Sequence, residues 1–195
     1  MRGYFAIGAE RISKPLNMGN LLRSAHAFGA KFFFTVGAHP RAFEAYSDTS
    51  KAVLHLPVYN WNAPADIALP KKCKLVGVEL LDDAVDLPAF RHPLHAAYIL
   101  GPERGVLSDE VLARCDHVVK IPTAFCINVA MAGAIIMYDR IRSLGHFPPR
   151  IAAAHQPSDL RPAHVFGKPK SRTACQSCHP SGPGAFGHKV RSPEM

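Results

Sequence analysis

Three short segments place amides, a guanidinium and a carboxylate where an α/β chain positions its ligands. The first is Asn17-Met18-Gly19-Asn20-Leu21-Leu22-Arg23, a polar loop entering a helix with Asn17, Asn20 and Arg23 on its polar side. The second is Gly101-Pro102-Glu103-Arg104-Gly105-Val106-Leu107-Ser108, a carboxylate in a turn whose glycines permit positive φ and close approach of backbone to a ligand. The third runs from Ile121-Pro122 through Cys126 and Asn128 into the small-residue helix that reaches Asp139. Each also has a purely structural reading. Arg23 would be a solvated residue of a capped amphipathic helix, Ser108 an N-cap with Glu110 in the first turn, and Asn128 a polar group satisfying a helix start.

The elements that must carry these segments alternate short apolar runs with amphipathic stretches, an α/β pattern. Strands are expected at Gly3 to Ile7, Lys31 to Val36, Lys74 to Val78, Ala96 to Leu100 and His117 to Ile121, mostly as buried parallel strands. Helices are expected at Met18 to Phe28, Asp48 to Leu54, Asp109 to Ala113 and Ile127 to Leu144, with Gly145 as the final stop. Leu21, Leu22, Ala25 and Phe28 form the buried stripe of the first helix. Each motif therefore follows a strand or opens a helix, where open parallel sheets bind ligands.

Composition bounds the rest. The chain has 195 residues, 48% of them hydrophobic, enough for one compact domain. Charged residues interrupt the N-terminal apolar stretches, so no secretory segment is expected, and the apolar run Val129 to Tyr138 is too short to span a membrane. Five scattered cysteines fit a reducing compartment, and the expected location is cytoplasmic. The net charge of +8 suits a polyanionic partner. Its distribution divides the chain: residues 148–195 hold eight prolines, four glycines and seven basic against two acidic residues. We expect a folded domain over 1–147 and a disordered basic tail over 148–195.

Taken in order, the three segments resemble the SPOUT superfamily of RNA methyltransferases, in its SpoU or TrmH-like branch of ribose 2′-O-methyltransferases. That branch carries an early Asn-x-Gly-Asn-x-x-Arg, a Gly-Pro/Asn-Glu-x-x-Gly-Leu after a late strand, and Ile-Pro followed by Ser-Leu-Asn. Here Cys126 stands where Ser is usual, and the loop from Ile121-Pro122 to Asn128 is shorter. The resemblance covers residues 3 to 147 and is closest to minimal, single-domain members. It implies an α/β parallel sheet whose C-terminal part forms a deep trefoil knot, S-adenosylmethionine as cofactor, and a site completed across a homodimer. Val78, Gly101, Ile121 and Cys126 would line the cofactor pocket.

The implied reaction is in-line attack of a ribose 2′-hydroxyl on the sulfonium methyl group. A guanidinium with a pKa above about 12 is a poor base, so Arg23 is read as a clamp on an RNA phosphate that also stabilises developing negative charge. Glu103 would orient that guanidinium, and Asn17 and Asn128 would fix loops or the ribose. The expected partner is RNA, with tRNA the first choice and neither DNA nor a membrane. Lys14, Lys31, Arg41 and Lys51 are candidate contacts. Alternatives are an rRNA 2′-O-methyltransferase or a non-catalytic knotted RNA-binding protein. A nucleotide-dependent oxidoreductase ranks below both, because Ile7 to Lys14 lacks the expected glycine pattern. No metal site is expected. Cys175, Cys178, His179 and His188 have zinc-like or haem-like spacing, but they lie in the basic tail, which is read as adding RNA affinity.

Overall fold

The computed structural model describes residues 3–44 and 52–145, all within the unit Met1–Pro149. Seven parallel strands form one sheet: β1 (Tyr4–Glu10), β2 (Phe33–Val36), β3 (Val58–Trp61), β4 (Lys74–Val78), β5 (Val85–Asp86), β6 (His95–Leu100) and β7 (His117–Lys120). Their order across the sheet is β3-β2-β1-β6-β4-β7-β5. The helices are α1 (Pro15–Ala27), α2 (Asp109–Arg114) and α3 (Val129–Leu144).

Period-two alternation divides the apolar residues between two faces. In β6, Ala96, Tyr98 and Leu100 join Met18, Leu21 and Leu22 of α1 and Ala132, Ile136 and Met137 of α3 in one core. Ala97 and Ile99 face the other way, with Phe34, Leu107 and Val111. Helices α1 and α3 lie against each other so closely that a side chain at Gly133 would collide with Leu21. Gly145 stops α3 in a left-handed conformation at φ 68°, as its position suggests.

Five expected strands are present with shifted ends, and β1 continues through Glu10. Two were not anticipated. β3 is an edge strand of only half-buried and exposed residues, so it lacks an apolar run, and β5 is two residues long. The expected helix Asp48 to Leu54 is corrected: its described part, Ala52–Leu54, is a 3-10 turn, while 48–51 lie outside the described residues. α1 starts earlier than expected because Pro15 supplies a preset φ at its first turn. The tail, with Cys175, Cys178, His179 and His188, also lies outside the described residues. Among the described residues no helix is long and apolar enough to cross a membrane.

Candidate active site

β1 and β6 are neighbours at the centre of the sheet, so the loops leaving their C-terminal ends emerge side by side. The chain runs outward from β1 through β2 to β3, and then returns beyond β6, which makes this a topological switch point. The first loop leads into α1, whose first turn carries Asn17, and the second carries Glu103.

The loop after β6 is held from three sides. Arg11 Nη2 donates to the Val106 carbonyl at 2.8 Å, the Leu107 N–H donates to Glu79 Oε2 at 2.9 Å, and the Ser108 N–H donates to Glu10 Oε2 at 2.8 Å. Glu10, only 2% exposed, ends β1, and Glu79 follows β4. None of these three anchors is among the residues that the sequence motifs single out. Their signal is a charged residue at or just beyond the end of a buried apolar strand. Ser108 caps α2 as expected, its side chain accepting from the Val111 N–H.

Glu103 meets the start of α1. Its carboxylate accepts from the Ser13 N–H at 3.1 Å, Ser13 Oγ at 3.0 Å, the Lys14 N–H at 2.9 Å and Asn17 Nδ2 at 3.1 Å. Helix α1 has no acidic residue in its first turn and no side-chain cap of its own, so Glu103 supplies the missing negative group from another loop. Burial pushes its carboxyl up, but hydrogen bonds from the Lys14 N–H, its own N–H, Asn17 and Ser13 outweigh that and hold it below the ordinary carboxylate range. The structure thus turns Glu103 to the helix start, where it had been expected to orient the Arg23 guanidinium.

Asn17 is also corrected. Expected on the polar face, it is 5% exposed. Its Oδ1 accepts from Asn128 Nδ2 at 2.9 Å, while Asn128 Oδ1 accepts from the Ala130 and Met131 N–H groups at 2.9 and 3.3 Å. Backbone N–H groups only donate and an ionised carboxylate only accepts, so one orientation of each amide satisfies the whole line. Asn128 therefore performs its structural role as N-cap of α3 and links α3 to α1 at the same time. Arg23, half-buried, lies six residues beyond Asn17 on α1.

Val78, Ile121 and Cys126 line one cleft of about 80 Å³, together with Glu79, Leu80, Thr123, Ile127 and Ala132. Across Leu80 and Thr123 it continues into an open groove of about 380 Å³ that also includes Asp82, Asp86 and Lys120. An apolar slot with carboxylates at and beside it suits a ligand with a sulfonium centre and a polar nucleoside, so the residues present fit S-adenosylmethionine. Gly101, expected to line this pocket, is not among the described residues that line the cleft. A Cβ on Gly101 would lie 2.8 Å from Glu79 Oε2 and 3.3 Å from the Leu107 nitrogen, so its need is for close approach, whereas Gly105 supplies the positive φ, at 102°. Among the candidate RNA contacts, Lys14 adjoins Glu103 and Arg41 follows β2 at the same sheet edge. Lys31 lies at the opposite edge, its N–H bonded to the Phe5 carbonyl, and Lys51 is outside the described residues. No metal-binding group of side chains occurs among the described residues.

Comparison with known proteins is consistent with this arrangement. The SpoU rRNA Methylase family matches residues 4–138, more than half of the chain. An uncharacterised tRNA/rRNA methyltransferase of Archaeoglobus fulgidus is 29% identical over 144 residues, covering 70% of this chain and 63% of that protein. The tRNA (guanosine(18)-2′-O)-methyltransferase of Escherichia coli is 24% identical, covering 68% of this chain and 61% of that one. A crystal structure of an AdoMet-bound rRNA methyltransferase from Sinorhizobium meliloti superposes with a TM-score of 0.65 at 24% identity, over 74% of this chain and 58% of that one. The chain thus spans less than two thirds of the length of these relatives. The parallel sheet has the knotted SpoU/TrmH-type topology of the SPOUT superfamily. With all three signature segments gathered at one sheet edge and the family match running through them, the chain belongs to the SpoU rRNA methylase family.

Proposed function

We propose that this chain is an S-adenosylmethionine-dependent RNA methyltransferase acting on a ribose 2′-hydroxyl, with tRNA as the substrate class and a homodimer as the working unit. The supporting observation is the hydrogen-bonded line from Asn128 through Asn17 to Glu103, which joins the three signature segments beside the cleft. The activity for which the Escherichia coli relative is named, 2′-O-methylation of a tRNA guanosine, supports the reaction class.

When bound, S-adenosylmethionine supplies the methyl group that the ribose oxygen accepts. The chain supplies position and charge. Val78, Ile121 and Cys126 form the apolar walls of the cofactor cleft, and Gly101 leaves room for Glu79 to hold the neighbouring loop. Arg23 grips an RNA phosphate and stabilises negative charge developing on the 2′-oxygen. Asn17, Asn128 and Glu103 keep the loops and the start of α1 in register, which is how small displacements are kept from degrading the rate.

The dimer reading rests on α3. Met131, Ile135 and Tyr138 are 60%, 38% and 53% exposed, and their spacing of four and three residues makes one apolar stripe. In this proposal a second copy covers it. Residues 148–195, with seven basic and two acidic groups, add an electrostatic contact with RNA.

The test is incubation of the full chain with methyl-labelled S-adenosylmethionine and separate pools of tRNA and rRNA, followed by digestion to nucleosides. Label in a 2′-O-methylnucleoside from tRNA is expected. Label confined to rRNA would replace the substrate. No label in either pool, with no cofactor binding by calorimetry, would contradict the reading.

A further inference from the structure

A second concavity, sharing no lining residue with the cofactor cleft, lies beside Glu103. Its volume is about 330 Å³, and Arg11, Ser13, Lys14, Pro102, Glu103 and Arg104 line it. Three cations thus converge on one groove between the first and second signature loops. Neither of the nearby carboxylates cancels them fully. Glu103 is turned to the α1 start by its bonds from Ser13, Lys14 and Asn17, and Glu10 is buried against the Ser108 N–H.

Arg11 is built into place. Its φ of 49° is in the left-handed region, uncommon for a residue with a side chain. Its N–H donates to the Val36 carbonyl at 2.7 Å and its guanidinium to the Val106 carbonyl at 2.8 Å, so it ties the ends of β1 and β2 to the second loop. Its side chain nevertheless remains 53% exposed and 3.7 Å from Glu10 Oε1. Lys14 and Arg104 are exposed and project from the two facing loops. Such strain at a ligand-facing position is characteristic of functional sites.

We propose that this groove holds a phosphodiester of the RNA strand flanking the methylated nucleotide, with Lys14 and Arg104 contacting phosphate oxygens and Arg11 as the fixed third cation. Among the described residues that line it, Pro102 is the only one without a polar side chain, so the groove suits a hydrated anion rather than a base or an apolar peptide. The inference rests on the methyltransferase reading above and names the part of the substrate held beside the reacting ribose.

The test measures binding of total tRNA by fluorescence anisotropy against salt, with methyl transfer alongside, in the full chain and in Lys14→Gln/Arg104→Gln. The double variant should lower the slope of log affinity against log salt by about 1.4, roughly 0.7 for each cation lost from a single-stranded segment. It should raise KM for RNA about tenfold and leave kcat within about twofold. Lys14→Arg/Arg104→Lys, which keeps both charges, should restore the slope. Lys71→Gln, before β4 at the opposite sheet edge, should leave it unchanged.

An unchanged slope in the double variant, or no tRNA binding by the unsubstituted chain, would overturn the groove. So would displacement of tRNA by inorganic phosphate beyond that of chloride at matched ionic strength, which would make it a site for the free anion. Cofactor binding and methyl transfer with an unchanged slope would sink the groove alone. A slope that falls as expected in a chain that binds no S-adenosylmethionine would sink the methyltransferase reading alone.

Discussion

Asn128 at the start of α3 donates through Nδ2 to Asn17 Oδ1 on α1 at 2.9 Å, a bond between residues 111 apart in sequence. It closes a line that continues to Glu103 and so fixes the relative position of three loops. Deleting one member leaves the others short of partners at a partly buried place, and that asymmetry makes the line testable.

Asn17→Ala should lower the free energy of unfolding by about 1–3 kcal/mol, because Glu103 loses a donor and the Asn128 amide its acceptor. Urea unfolding followed by circular dichroism measures this through the midpoint at constant slope. An unchanged midpoint would show that water replaces the amide without cost.

The pH dependence of stability has two windows. Burial lowers the His92 pKa from 6.5, outweighing its hydrogen bond to Asp139, so the folded state binds fewer protons there than the unfolded chain. Stability should therefore be full above pH 6.5 and decline as the pH falls below it. Glu103 lies below its ordinary value of 4.5, so its contribution is present above that pH and is lost as the pH falls through the folded-state value. Glu103→Gln should flatten the lower window and leave the upper one in place. Unfolding curves at a series of pH values would show this, and an identical slope below pH 4.5 in the variant would refute the assignment.

Arg140 marks the opposite end of the sheet. It is 3% exposed and donates to the carbonyls of Tyr4, Pro93 and Leu94 and to the Tyr98 hydroxyl. His92 shares that hydroxyl at 2.6 Å, and burial pushes the Tyr98 pKa up to about 12. Arg140→Met should cost about 3–5 kcal/mol, since it strips partners from a buried network while keeping volume. A thermal melt within a degree of the unsubstituted chain would contradict this reading.

Ile135→Glu puts a charge in the exposed stripe of α3. The unsubstituted chain should sediment at about twice 21.2 kDa and the variant at 21.2 kDa. A monomer in both cases would remove the second copy from the site.

The sheet's interior was legible in the sequence because β1, β2, β4 and β6 are buried on both faces and read as apolar runs. The edge was not. Val58–Trp61 exposes Tyr59 and Asn60, so its strand character comes from pairing with β2. The positions of Asn17, Glu103 and Asn128 were anticipated as polar groups at loop ends. Their mutual bonds were not, because those depend on β1 and β6 being neighbours, a long-range pairing that no local pattern records. Glu10 and Glu79 escaped for the same reason: each serves a loop that reaches it only in the folded sheet.

The central claim is that these loops assemble a site for methyl transfer to a ribose oxygen under the charge of Arg23. The direct measurement is single-turnover transfer from labelled S-adenosylmethionine to tRNA, with nucleoside analysis of the product, in the unsubstituted chain and in Arg23→Ala. The account predicts a 2′-O-methylnucleoside and a loss of roughly 100-fold or more in the variant, on the scale of removing a charge-stabilising donor. Transfer at an equal rate in both proteins, or label on a base instead of a ribose, would contradict it.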